Sequence, residues 1–389
     1  MALIDFKENI DRCLKCGACL YGYNTWMPSC PSGERYGFMS YYARGRLDMA
    51  YGLLAKQINW NAKLNHILYS CADCKTCENA CTEQTSVKNL DIILEMKREA
   101  VERGSVPVEI RDFLENVYHF GNPYGKPRQK RGAWAEGLNI ETYAGQEYLF
   151  YVGCVGSYDD VGQKSAISFS QVMLKAGVSF GILSEKELCD GNEVNRLGET
   201  GLFEDLAGKN ISLFKDLKVS KIVTISPHSY NALKNEYPRL GGDFEVYHSS
   251  QLLRDLIHEN RIKFSSELNY KATYHDPCWL GRRNDIYDAP RQVLESVPGL
   301  DLVEMKRNRV YSFCCGGGGG NFFSDMIGSG GEMAPSRRRV REAMETEASV
   351  LAVACPICAV MFEDAIKSEK AEDKLIVKNI SEIVHDMTG

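Results

Sequence analysis

Thirteen of the fifteen cysteines in this 389-residue chain fall into three spaced groups. The first is Cys13-x2-Cys16-x2-Cys19, followed by Cys30-Pro31. The second is Cys71-x2-Cys74-x2-Cys77-x3-Cys81. The third is spread over the C-terminal third: Cys278, then Cys314-Cys315 followed by five glycines, then Cys355-Pro356-Ile357-Cys358. Thiolates two residues apart on a turn can converge on one cluster, and C-x2-C-x2-C-x3-C is a spacing that holds four-iron clusters. Zinc is the rival, since C-x2-C pairs also build tetrahedral zinc sites. Two triplets with two single cysteines fit cubanes better, so the expected chemistry is electron transfer on iron and sulfur.

The C-terminal group offers five thiols, one more than a cubane takes. Either the cluster is unusual or one cysteine is reactive. Adjacent side chains point to opposite faces of a strand, but from a tight turn Cys314 and Cys315 can straddle a cluster. Gly316 and Gly317 give that turn its freedom and let backbone N–H groups approach sulfur. No Gly-Lys-Ser/Thr follows them, so a phosphate cradle is a poor reading. His275-Asp276 precedes Cys278 at a strand end. His275 there is either a proton donor beside the cluster or a hydrogen-bonding partner of the turn. His248, at another strand end, has the same two readings.

The elements that must position these residues change in character along the chain. Residues 1–120 read as helical around the first two cysteine groups. Asn89 to Arg103 has apolar residues at helical spacing and a stop at Gly104. Residues 121–146 open with a stretch rich in Gly, Pro, Lys and Arg and read as a linker. From Glu147 on, short apolar strands (Tyr148–Val152, Lys221–Ile225, Phe244–Tyr247, Ala272–Tyr274, Leu300–Glu304, Val350–Ala354) alternate with helical stretches, the pattern of α/β units on parallel sheets. The expected class is therefore α plus α/β, with a helical domain at 1–120, a first α/β unit at 147–265 and a second at 266–389.

Those two units are copies. Cys154 lies 124 residues before Cys278, Cys189 lies 125 before Cys314, and Ser226-Pro227-His228-Ser229 lies 129 before Cys355-Pro356-Ile357-Cys358. Ser250 to Asp255 matches Ser381 to Asp386 at an offset of 131. Nearly constant offsets over four landmarks identify an internal repeat.

Tyr274-His275-Asp276-Pro277-Cys278, Cys314-Cys315-Gly316-Gly317 and Ala354-Cys355-Pro356-Ile357-Cys358 resemble the CCG domain of heterodisulfide reductase and its relatives. The intervals of 35 and 39 residues between these landmarks are slightly longer than the usual pattern. With the two N-terminal groups, the chain is similar end to end to the D-subunit type, which fuses a dicluster ferredoxin domain to tandem CCG domains. The resemblance implies a noncubane [4Fe–4S] cluster on Cys278, Cys314, Cys315, Cys355 and Cys358, where thiol or disulfide chemistry occurs. In two-cluster ferredoxins the fourth cysteine of each run serves the other cluster. Carried over, Cys13, Cys16, Cys19 and Cys81 hold one cubane, and Cys71, Cys74, Cys77 and Cys30 the second. The first run departs from the standard one, with ten residues between Cys19 and Cys30, and Thr82 stands where a proline follows the last cysteine of the standard run.

The first copy also departs from the family. Asp190 stands where a second adjacent cysteine belongs, and Ser226 and Ser229 replace the C-x-x-C pair. Its pocket is either structural, with Cys154 and Cys189 as small buried hydrophobes, or it holds a cluster on fewer cysteines with Asp190 or His228, or a ligand from a partner subunit. The implied partners are a flavoprotein, a membrane cytochrome or a quinone-reactive subunit. The alternative to an enzyme of thiol/disulfide chemistry is a subunit that only wires electrons between such partners.

Bulk properties narrow the field further. A net charge of −6 gives no nucleic-acid footprint. Apolar runs such as Tyr148 to Val155 fall far short of the roughly 20 residues that span a membrane. The N-terminus lacks a signal peptide's basic start and apolar stretch. The expected location is cytoplasmic, or peripheral on the cytoplasmic membrane face, where cysteine-rich chains bind metal rather than form disulfides. The basic run Arg337-Arg338-Arg339 with Arg341 reads as a solvated helix face, or as a dock for an anionic ligand or partner. Anaerobically purified protein should contain about 12 iron atoms per chain, three four-iron clusters. An iron count near that of two clusters with alkylatable C-terminal cysteines, or zinc in place of iron, would contradict this reading.

Overall fold

A computed structural model describes residues 2–21, 27–81, 86–267 and 269–388; Thr82 lies outside them. The chain forms two compact units, one of Met1–Glu115, Glu193–Thr200 and Arg307–Arg339, the other of Asn116–Asn192, Gly201–Lys306 and Val340–Gly389.

The first unit is helical. Its longest helix, Asn89–Glu102, buries Leu90, Ile93, Met96 and Ala100. It stops at Gly104, in the left-handed region at φ +62°, whose N–H donates to the Val101 carbonyl while Ser105 N–H donates to that of Ala100. That is the glycine stop expected from the sequence. The helix also buries Lys97, whose ammonium sits over the Tyr69 ring and donates to the Arg196 carbonyl at 3.2 Å.

The second unit holds two four-stranded parallel sheets. The first comprises β1 (Tyr148–Phe150), β2 (Phe180–Gly181), β3 (Lys221–Thr224) and β4 (Glu245–His248), in the order β2-β1-β3-β4. The second comprises β5 (Tyr270–Tyr274), β6 (Leu300–Val303), β7 (Val350–Val353) and β8 (Ile376–Asn379), in the order β6-β5-β7-β8. Register carries the repeat residue by residue. Tyr148 pairs with Lys221 as Ala272 pairs with Val350, and Thr224 pairs with His248 as Val353 pairs with Asn379. His248 and Asn379, thus equivalent, each cap the N-terminus of the following helix with a capping box. Burial lowers the His248 pKa to about 3, so it is a neutral helix cap and not a proton donor.

Both copies share one apolar core, which runs from Phe150, Phe169 and Val223 to Ala272, Val293 and Val384. The helix Asp160–Lys175 packs on Pro356–Ser368 and Ile380–Met387, and Ser249–His258 packs on Asp288–Glu295.

Two expectations look different in the structure. The segment read as a linker joins the second unit. Trp134 is buried in the shared core at 6.0 Å from the Phe150 ring, and Arg131 is buried as well. The arginine run is neither a solvated face nor a dock. Arg338 pairs with Glu34, and fully buried Arg339 donates to the Arg307 carbonyl and the Ser312 hydroxyl. Arg341 forms a two-pronged ion pair with Glu369 at 2.8 and 2.9 Å.

A shared core means the copies unfold together. Phe169, fully buried and edge-on to Phe150 at 5.2 Å, should cost about 3–5 kcal/mol on truncation to Ala. Anaerobic calorimetry of Phe169→Ala should show one shifted transition for both sheets. Two separable transitions would show that the copies fold independently.

Candidate functional site

In the first unit, the Cys13–Cys19 and Cys71–Cys77 segments repeat one backbone trick. Lys15 and Gly17 in one, and Asp73 and Lys75 in the other, take left-handed φ values of 57°, 81°, 51° and 65°. A left-handed residue between cysteines reverses the chain and lets successive thiols face one point, at a cost of about 1–2 kcal/mol for each non-glycine residue. Asp73 is held by a two-pronged ion pair to Arg196 at 2.6 and 3.1 Å.

The thiols gather in two groups. Burial pushes the Cys19 thiol up to about 11, and repulsion from Cys13, Cys81 and Cys16 adds to it. Burial likewise pushes Cys30 up to about 12 against the pull of Arg46, with Cys74 and Cys71 adding repulsion. Cys77 is driven well above its ordinary value by burial, Glu78, Cys71, Cys74 and Cys30. Cys30 also caps the helix Pro31–Tyr36, accepting from Gly33 N–H at 3.5 Å with proline at the first helical position. Thiols gathered in this way and held against ionisation are a poor resting state for the protein alone, and each group forms a donor set that fits a cluster cation.

The Cys314-Cys315 turn belongs to this same unit, and both residues are buried. Gly316 N–H donates to the Cys314 sulfur at 3.4 Å. Gly316 has φ +94°, and a Cβ there would press on the Pro335 ring at 3.1 Å. Gly317 accepts from Phe322 N–H at 2.8 Å, which closes the turn. Further along, Gly319 at φ +64° lies so close to the Cys71 carbonyl oxygen that a Cβ would sit 2.3 Å from it. Asn321 donates to the same carbonyl at 3.3 Å. The glycine run thus seats the Cys314-Cys315 turn on the backbone of the second cysteine group.

In the second unit, Cys278 follows β5, and Cys355 to Cys358 open the helix after β7. Neighbouring β5 and β7 connect outward in opposite directions, so this is the switch point where open parallel sheets place ligands. Burial opposes ionisation of Cys355, but hydrogen bonds to Cys358 and His228 outweigh it and bring the pKa down to about 6. His228 comes from the first copy and lies against the Trp279 ring at 5.2 Å. Its repeat equivalent is Ile357. The sequence thus marked His228 as a candidate, and the structure sets it against the complete motif of the other copy. Buried His275 is edge-on to Phe362 at 4.7 Å. Asp276 is structural, clamped by Arg291 at 2.7 and 2.9 Å, with Glu304 on the far side of the guanidinium.

At the equivalent switch point of the first copy, a different network stands. Asp190 and Ser229, the equivalents of Cys315 and Cys358, are joined by a 2.7 Å hydrogen bond. Ser226 caps the following helix by accepting from Ser229 N–H at 3.2 Å. Cys154 and Cys189 share a hydrogen bond that favours a Cys154 thiolate and a protonated Cys189. Both Nη atoms of Arg131 lie 3.6 Å from the Cys154 sulfur, and Glu187 holds the guanidinium at 2.7 Å. Arg131 is the residue that sequence reasoning missed. Its only signal was an arginine beside an apolar Ala-Trp-Ala in a segment rich in loop formers.

The chain is similar to known proteins over most of its length. A cysteine-rich domain family matches residues 148–234 and 272–363, and a 4Fe-4S dicluster domain family matches residues 9–85. The probable iron-sulfur-binding oxidoreductase FadF of Bacillus subtilis is 37% identical over 82% of this chain and 46% of its own length. The EtfAB:quinone oxidoreductase of Syntrophomonas wolfei is 33% identical over 82% of this chain and 46% of its own length. The chain thus spans about half the length of these two relatives. A hypothetical protein from Helicobacter pylori shares the fold, with a TM-score of 0.52 at 12% identity over 89% of this chain and 68% of that one. The D-type subunit of the dihydromethanophenazine:CoB–CoM heterodisulfide reductase of Methanosarcina barkeri is 30% identical over 98% of this chain and 94% of its own length. The chain belongs to the heterodisulfide reductase D-subunit family.

Proposed function

We propose that this chain carries electrons between two [4Fe–4S] cubanes and one noncubane [4Fe–4S] cluster, for redox chemistry of the thiol/disulfide type. The cubane ligands are Cys13, Cys16, Cys19 and Cys81 for one, and Cys30, Cys71, Cys74 and Cys77 for the other. Cys278, Cys314, Cys315, Cys355 and Cys358 hold the noncubane cluster, with Gly316 and Gly317 shaping its turn. When bound, these groups supply one-electron redox steps that protein side chains cannot. The observation that carries the reading is the seat of Gly319 on the Cys71 carbonyl. It joins the turn that follows one ligand pair directly to the backbone of another ligand group, which favours short electron transfer between them.

The residues around the cysteines position and tune. His228 meets the Cys355 sulfur and Gly316 N–H meets that of Cys314; such hydrogen bonds set cluster potentials. His275 is a weaker candidate for handling a proton at Cys278.

A second reading is supported by burial. The five C-terminal cysteines range from 1% to 6% exposed, which favours a subunit that wires electrons to a partner without turning over a substrate of its own. A flavoprotein, a membrane cytochrome or a quinone-reactive subunit would be the partner. Among the described residues no helix is long and apolar enough to cross a membrane.

Dithionite titration of glycine variants, followed by paramagnetic resonance, tests the assignment. Gly316→Val should abolish the noncubane signal and leave both cubanes. Gly319→Val should also disturb the cubane on Cys71, because its side chain meets that residue's backbone. Survival of all signals in both variants would show that the glycines serve another purpose. Cys74→Ser should remove one cubane and slow electron delivery to the C-terminal cysteines; full iron content and rate would refute its role as a ligand. His228→Ala should shift the midpoint potential of the noncubane cluster without changing the iron count, and an unchanged potential would remove His228 from the site.

A further inference from the structure

The first copy retains two of five motif cysteines and surrounds them with groups that no metal site needs. We propose that Cys154 and Cys189 form a two-electron dithiol–disulfide couple, a redox site of the protein's own side chains where the other copy has a metal motif.

Four observations carry this. The two cysteines come from separate loops of one sheet, yet a single Nη of Arg131 reaches both the Cys154 sulfur at 3.6 Å and the carbonyl of Leu188, the residue before Cys189, at 3.3 Å. A thiolate beside a thiol is the arrangement from which an intramolecular disulfide closes. Next, the guanidinium of Arg131 lies 3.6 Å from the Cys154 sulfur through both Nη atoms. A metal cation would have to share the thiolate with that buried positive charge, whereas a thiolate is stabilised by it. Then, Glu187 fixes Arg131 at 2.7 Å and is itself held by the N–H groups of Val152 and Gly153 at 3.0 and 2.9 Å. Burying such a pair takes two ions out of water, at a penalty of several kcal/mol per ion before their attraction is counted, which two cysteines acting as small hydrophobes would not require. Last, the third and fifth motif positions are closed off from a metal by the Asp190–Ser229 hydrogen bond.

The step balances simply. The Cys154 thiolate and the Cys189 thiol form one S–S bond, and one proton and two electrons leave. The proton is released to solvent. The electrons leave singly, each to an oxidised iron–sulfur centre; in the reverse direction two reduced centres open the disulfide. This coupling rests on the cluster assignment proposed above, whereas the existence of the couple does not.

The test poises the anaerobic full-length protein in mixtures of reduced and oxidised dithiothreitol, quenches with acid, and alkylates after denaturation. Peptide masses report Cys154 and Cys189, and iron is assayed on the same samples. Both cysteines should pass together from alkylated to protected in a two-electron transition, with iron unchanged. If they do so in protein that lacks iron, the couple stands and the cluster reading fails. Cys189→Ser should abolish the transition and keep all iron. Arg131→Gln should shift the equilibrium at least tenfold toward disulfide, about 30 mV for two electrons, because it removes the charge that stabilises the reduced form; Arg131→Lys should restore most of the shift. The couple is overturned if both cysteines stay alkylatable at every poise, if only one is protected, or if Cys189→Ser loses iron, which would make the pair cluster ligands.

Discussion

Crowding thiols at one buried point is the constraint on which this structure turns. Burial disfavours the thiolate, and each neighbouring thiolate disfavours the next, so the cysteines gathered in the helical unit resist the ionised form that metal binding needs. The raised pKa values of Cys19, Cys30 and Cys77 register that conflict. A positive centre in their midst resolves it, and because the thiols are assembled only in the folded chain, binding that centre also favours folding. The local devices follow from the same need. Left-handed residues turn the thiols toward one another, the Cys-Pro steps place Cys30 and Cys355 at the N-termini of helices, where negative charge is favoured, and Gly316 aims an N–H at Cys314. Each either gathers sulfur or softens its charge.

The first copy answers the same constraint with a guanidinium. Arg131 supplies the positive centre, Glu187 balances it, and the serines and aspartate that replace three cysteines satisfy one another by hydrogen bonds. The departures from the motif therefore form one coherent replacement and not scattered losses. A site that had only decayed would be expected to fill with apolar side chains, since an ion pair buried without purpose is commonly no more stable than a hydrophobic substitute.

Much of this was legible in the sequence, for identifiable reasons. Cysteine spacing is short-range, so the grouping of Cys13 to Cys19 and of Cys71 to Cys77 could be read directly. The repeat offsets fixed the equivalence of Cys154 with Cys278 and of Ser226 with Cys355, and strand register reproduces that equivalence. The same offset of 131 would have found β8, since Glu245 plus that interval is Ile376; the strand was missed because Lys378 and Asn379 dilute its apolar pattern. β2 has two residues and carries no periodicity to read. The role of Arg131 was hidden for a different reason. Glycine and proline around it mark a chain that bends, and bending does not distinguish a loose linker from one pinned by Trp134 in a core. Nor could a linear reading show that residues 307–339 group with the helical unit, because that assignment depends on Gly319 meeting Cys71 and Asn321 donating to it.

Retention of a copy that lost its metal motif then has a physical basis. Its sheet supplies half of an apolar core that the second sheet shares, so deleting it would expose the faces of Pro356–Ser368 and Ile380–Met387 that pack on Asp160–Lys175. Its third loop sends His228 to Cys355, while Ile357, the repeat equivalent of His228, has no hydrogen-bonding side chain with which to return the favour. The exchange is one-sided: the second copy keeps the five cysteines, and the first copy, relieved of ligand duty at Ser226 and Ser229, places between those two serines the imidazole that meets its neighbour's sulfur. Duplication let one site stay fixed while the other became free to change, and the changes at positions 226–229 act on the site that stayed.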